Sequence, residues 1–292
     1  MLPEWLKAGL WGLVSGSALV IGAAAGYFLK IPARLVAAIM AFGSGVLISA
    51  LSFDLMDEAY KSGGFDSTSL GFVGGALIYT IANIIVSNKG AKHRKRSGDK
   101  QVSESEKEGS GTAIAIGALL DGIPESIVIG VSMIGGQGVS MVAVIAIFLS
   151  NVPEGLSSSS GMKNAGRSAK YIFLLWTGIA IISGIAATCG YAVFDGFGKE
   201  IIAATTAVAA GAILAMLSDT MIPEAFEEAH HFAGLITVLG FLCAFISIYI
   251  FILKSQNLSS KENNCEIPYF FNIVIELLNM IFCIITNDIW LI

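Results

Sequence analysis

The chain has 292 residues, of which 55% are hydrophobic and only 13% charged, with a formal net charge of −5. Soluble domains carry about a quarter of their residues charged. The composition therefore excludes an ordinary soluble domain and indicates an all-α polytopic membrane protein whose main partner is the lipid bilayer, with no nucleic-acid partner expected.

Taken in order, apolar runs of about twenty residues, the length that crosses a bilayer, lie at roughly 5–29, 33–56, 69–87, 111–134, 139–161, 169–194, 199–221 and 233–253. They predict eight transmembrane helices. The first run is too long for a signal-peptide core and follows no basic stretch, so it reads as a retained helix. Lys30 and Arg34 fall between the first two spans, seven basic residues from Lys89 to Lys107 between the third and fourth, and Lys163, Arg167 and Lys170 between the fifth and sixth. Twelve of the seventeen basic residues thus share one side. The positive-inside rule makes that side cytoplasmic, the N-terminus external and the protein a multi-pass component of the cell (inner) membrane.

Five regions follow: spans one to three in 1–87, a basic loop in 88–110, spans four and five in 111–161, spans six to eight in 162–254, and a tail in 255–292. The loop is charged, contains Ser and Gly and lacks an apolar period, which predicts a disordered cytoplasmic linker. Its Lys92-His93-Arg94-Lys95-Arg96 run reads as a topology determinant rather than a lipid-binding patch. The tail has neither Gly nor Ala and reads as an atypical addition, a marginal ninth span or an interfacial helix. Cys189, Cys243, Cys265 and Cys283 show no metal-binding spacing.

Spans two and seven repeat one another. Ala41, Gly45, Leu51, Ser52, Glu58 and Ala59 are identical to Ala207, Gly211, Leu217, Ser218, Glu224 and Ala225. An odd difference in span number makes the two copies cross in opposite directions, the inverted repeat of secondary transporters, so helices one to three would mirror six to eight around a central pair in a 3+2+3 arrangement. Small residues four apart, such as Gly12 and Gly16 or Gly22 and Gly26, provide close helix contacts within the chain or across a homodimer.

The central pair carries the chemistry. Leu120-Asp121-Gly122-Ile123-Pro124-Glu125 and Leu149-Ser150-Asn151-Val152-Pro153-Glu154 each put a Pro-Glu pair inside an apolar span. A charge at bilayer depth costs at least about 2.5–3.5 kcal/mol, so a repeated one indicates function. Residues four apart share a helix face, which aligns Asp121 with Glu125 and Ser150 with Glu154. Each proline frees a backbone carbonyl one turn back. With Lys and Arg confined to loops and helix ends, the counter-charge is expected from outside the chain, as a divalent cation or protons. Carboxylate, amide and hydroxyl oxygens from Asp121, Glu125, Ser150, Asn151 and Glu154 suit a hard or borderline ion. An aspartyl dyad is the competing enzymatic reading. No Gly-x-Gly-Asp, His-Glu-x-x-His or Asp-rich prenyl-phosphate motif supports it, and no enzyme is expected.

Eight spans, a basic loop after the third, Pro-Glu in the fourth and fifth and Pro-Glu-Ala at the end of the seventh resemble the ZIP family of divalent metal (zinc and iron) transporters, in particular its bacterial branch, over residues 5 to 253. The resemblance implies transport of a divalent cation, zinc first, with no resident cofactor. It places Glu125, Asn151 and Glu154 on the family's metal-binding pattern. Asp121 stands where the family has a helix-four His, Gly122 where it has Asn, and Ser150 where it has Gln or His, so this is a variant metal site. Oxygen-only ligands keep manganese, iron and magnesium open, and a membrane protein that binds metal without transporting it is the other alternative. Acidic residues near the two mouths, Asp54 and Asp219, and the serines Ser157 and Ser158 one turn past Glu154 are candidate pathway residues, as are Glu224, His230 and His231 at the cytoplasmic end of span seven.

Overall fold

The computed structural model describes residues 2–96, 101–136 and 138–257; most of the tail, from residue 258 on, lies outside them. Among the described residues there is no strand, and every predicted apolar run is helical. The helices are α1 (Glu4–Phe28), α2 (Ala33–Ala50), α3 (Met56–Val86), α4 (Ser110–Val131), α5 (Met141–Asn164), α6 (Ala169–Phe194), α7 (Lys199–Met216), α8 (Ile222–Ala229) and α9 (Ala233–Asn257). Helix formation pairs most backbone donors and acceptors within their own segment, as lipid requires. Pro3 and Pro32 precede α1 and α2, while the Ser140 and Ser168 hydroxyls cap α5 and α6 by accepting from the Ala143 and Tyr171 amides.

Six helical stretches are long and apolar enough to cross a membrane, where the sequence predicts eight separate helices. The difference arises at two junctions. α2 joins α3 through a π-helical turn at Leu51–Leu55, giving a stretch of 59 residues to Ala91, and α7 to α9 form one of 48 residues to Ile246. At about 1.5 Å per residue, straight helices of those lengths would extend about 88 and 72 Å, against a hydrocarbon core of about 30 Å. Neither is regular throughout. Gly64 (φ 74°, ψ −176°) breaks the first and His230 (φ 46°, ψ −126°) the second. The two breaks occupy equivalent positions of the repeat seen in the sequence, as do the π-helical turns Leu51–Leu55 and Leu217–Met221.

Packing follows the same correspondence. α2 lies on α9 as α7 lies on α3; α1 lies on α5 as α6 lies on α4; α2 meets α5 as α7 meets α4. Glycines allow these approaches. Gly45 lies against the Thr237 carbonyl and Gly211 against that of Phe72, Gly240 against Phe42 and Gly75 against Val208, with no space for a Cβ at any of them. The large apolar core joins these helices around Phe42, Leu47, Ile147, Ile213 and Leu217, whereas Leu70, Ile78 and Leu174 are exposed, as apolar side chains on a membrane-compatible helix can be.

Candidate metal centre

α4 and α5 both run on through their prolines, Pro124 and Pro153. All five predicted site residues are buried, with Asp121 and Glu125 2% exposed and Ser150, Asn151 and Glu154 no more than 4%. Their partners differ from expectation. The Ser150 hydroxyl donates to the Ile147 carbonyl of its own helix, and the Asn151 amide donates to the Ser15 carbonyl of α1, where it serves helix packing. Asp121 and Glu154 are brought together, but through a cation of the protein itself.

That cation comes from the basic loop. Arg94 places Nε 3.0 Å from Asp121 Oδ2 and Nη2 2.8 Å from Oδ1, the two-pronged geometry of a strong guanidinium–carboxylate pair. Its Nη1 donates to Asn83 Oδ1 at 3.0 Å, and the Tyr79 hydroxyl donates to Asp121 Oδ1 at 2.7 Å. Lys95 Nζ lies 3.2 Å from Asp121 Oδ2 and 2.9 Å from Glu154 Oε2. Two expectations are thereby corrected: the described part of the loop is not a free linker, since Arg94 and Lys95 are 2% and 1% exposed, and the counter-charge does not come solely from outside the chain. The physical reason is that a buried carboxylate without a cation costs several kcal/mol, and this loop is close enough to supply two. Half-buried Arg96 pairs with Glu227 at 2.7 Å.

The pathway residues divide. Ser157 donates to the Lys95 carbonyl, and the Ser158 carbonyl accepts from Gln101 Nε2 at 3.1 Å, so both hold the inserted loop. Glu224 is buried in the neighbourhood of Arg94, Lys95 and Arg96. Asp54 accepts from Ser140 at the N-terminus of α5 (2.6 Å), whereas Asp219 is exposed. His230 and His231 are exposed, and His230 serves as the break before α9.

Four buried carboxylates, Asp121, Glu125, Glu154 and Glu224, therefore face two fully buried cations. Glu125 Oε1 and Glu224 Oε2 are buried without a hydrogen-bond partner. Among the described residues no three His, Cys, Asp or Glu side chains form a group that could hold a metal ion.

Sequence reasoning missed Tyr79, Asn83, Arg94, Lys95 and Gln101. Tyr79 and Asn83 sit one turn apart in an apolar span, and a polar pair at such depth was a usable signal. Arg94 and Lys95 carried none beyond the unbalanced carboxylates. No protein-family model matches the chain, and no characterised protein matches it.

Proposed function

We propose that the protein transports divalent metal cations, zinc first and manganese, iron or magnesium as alternatives, through the carboxylate centre between α4 and α5. The observation that carries the reading is the excess of buried carboxylate: four buried acids meet two fully buried cations, and Glu125 Oε1 and Glu224 Oε2 are left without a hydrogen-bond partner. The repeated breaks and reciprocal packing support an inverted-repeat transporter of eight crossings, with the two long stretches reversing at Gly64 and His230; the distribution of Lys and Arg supports an external N-terminus and a loop 88–110 that enters from the cytoplasmic side. In this mechanism Asp121, Glu125 and Glu154 bind a partly dehydrated ion, and one helical block moves against the other to expose it to alternate sides.

A second reading is favoured by one observation. Arg94 and Lys95 neutralise Asp121 and Glu154, so the cluster could serve as a permanent structural brace in a protein that carries nothing. Reconstituted vesicles offered Zn, Mn, Fe, Cd and Mg separate the two. Transport predicts influx of at least one ion above protein-free vesicles and competition among those sharing the site. Absence of influx for all five would leave the brace.

A further inference from the structure

We propose that the segment around Arg94 and Lys95 is a tethered cationic stopper: its two charges stand in for the transported ion on Asp121 and Glu154, and the ion binds only when the segment leaves. This rests on the reading of that centre as the transport site, and it adds the regulation of the site by the chain's own loop.

The chemistry is that of a competitor. Two unit charges engage two carboxylates through Arg94 on Asp121 and Lys95 between Asp121 and Glu154. A divalent ion brings the same charge to the same oxygens, so stopper and ion exclude one another.

The segment is held in a way that permits release. Apart from Ala91, which packs in an apolar cluster, its attachment is polar: Ser157 donates to the Lys95 carbonyl, and Gln101 donates to the carbonyls of Arg94, Arg96 and Ser158. A buried ion pair gains little net free energy once desolvation is counted, so exchange of one cation for another is thermodynamically accessible. Gly90 (φ 115°) and Gly109 (φ 80°) bracket the stretch, and both adopt a backbone that glycine allows without strain. Beyond the buried part, Glu104 latches the returning chain to Arg167 at 3.1 Å and to the Gly111 amide at 2.9 Å. Release about Gly90 therefore opens only the short π-helical turn Ser87–Ala91 that contains it.

Equilibrium binding of Mn(II) and, separately, Zn(II) to the full chain, Lys95→Gln and Glu154→Gln tests this. With the stopper mostly in place, weakening it raises the population of the binding-competent state, and Lys95→Gln should bind about tenfold tighter, while Glu154→Gln loses binding. Unchanged or weaker binding by Lys95→Gln, together with loss in Glu154→Gln, overturns the stopper and leaves the metal centre standing. Wild-type binding by Glu154→Gln overturns the centre itself. If Lys95→Gln fails to fold, limited trypsinolysis of the unaltered protein decides. Cleavage after Arg94 and Lys95, identified by mass spectrometry, should be slow without metal and accelerate about tenfold with saturating Mn(II); equal cleavage with and without metal overturns the proposal.

Discussion

The two related helical halves agree in their backbones and differ in what they bury. Both contain a π-helical turn, at Leu51–Leu55 and Leu217–Met221, and both break at the equivalent residue, Gly64 or His230. Gly45 and Gly211 make matching approaches to a partner helix. Their acidic residues part company: Glu58 is exposed, whereas its counterpart Glu224 is buried near Arg94, Lys95 and Arg96. Asp54 is bonded to Ser140, whereas Asp219 is exposed. A symmetric scaffold is thus closed asymmetrically, because the basic loop lies over one end only. Packing is the property the halves share, and charge is the property that distinguishes them.

The largest effect is expected on the charged side of that contrast. Arg94→Met leaves Asp121 buried without its guanidinium partner and should destabilise by about 3–5 kcal/mol in detergent unfolding. Glu58→Gln, at the exposed counterpart of Glu224, should stay within about 0.5 kcal/mol of the parent. Equal losses would erase the distinction.

Scaffold equivalence is tested next. Gly45→Leu and Gly211→Leu each drive a side chain into a neighbouring carbonyl and should cost about 1–3 kcal/mol, equally in the two halves. Gly74→Leu, where a Cβ meets nothing within 4 Å, should be near neutral on the same thermal scale. A gap of more than about 1 kcal/mol between the two destabilised variants breaks the correspondence.

A smaller gain should follow from His230→Gly. A φ of 46° with ψ −126° is strained for a residue with a side chain, whereas glycine adopts positive φ freely, as at Gly64, so the change should stabilise by about 1 kcal/mol without altering flux. Reduced flux would instead make His230 part of the exit route.

The smallest effect concerns the latch. Hydrogen bonds from the Gly111 and Gly109 amides, then from Arg167, hold the Glu104 carboxyl at about 2, below its ordinary 4.5. A depressed carboxyl stabilises above the ordinary value and loses that contribution as pH falls through the lowered one. Hydrogen exchange at the first turn of α4 should therefore be protected at pH 5 and above and lose its Glu104-dependent protection between about pH 4.5 and 2. Glu104→Gln should flatten that dependence.

Much of this was legible in the sequence because lipid enforces simple rules. Helix positions followed from apolar length, and the repeat from identities such as Gly45 with Gly211 and Glu58 with Glu224. Burial of Asp121, Glu125 and Glu154 followed from their place inside spans. The origin of the counter-charge was hidden. Lys and Arg between helices ordinarily report topology, and nothing local distinguishes a Lys-Arg run left in water from one folded back by long-range pairing with Asp121 and Glu154. Helix continuity across α2 and α3 was equally hidden, since Leu51–Leu55 has no breaker and the break falls later, at Gly64.

Metal influx into vesicles bearing Glu125→Ala, Glu154→Ala or the unaltered chain, in equal folded amounts and with the ion that the unaltered chain carries fastest, tests the central claim most directly. Loss of influx in both variants, with the unaltered chain active, is the expected result. Undiminished influx in either would contradict the assignment of that carboxylate to the transport site.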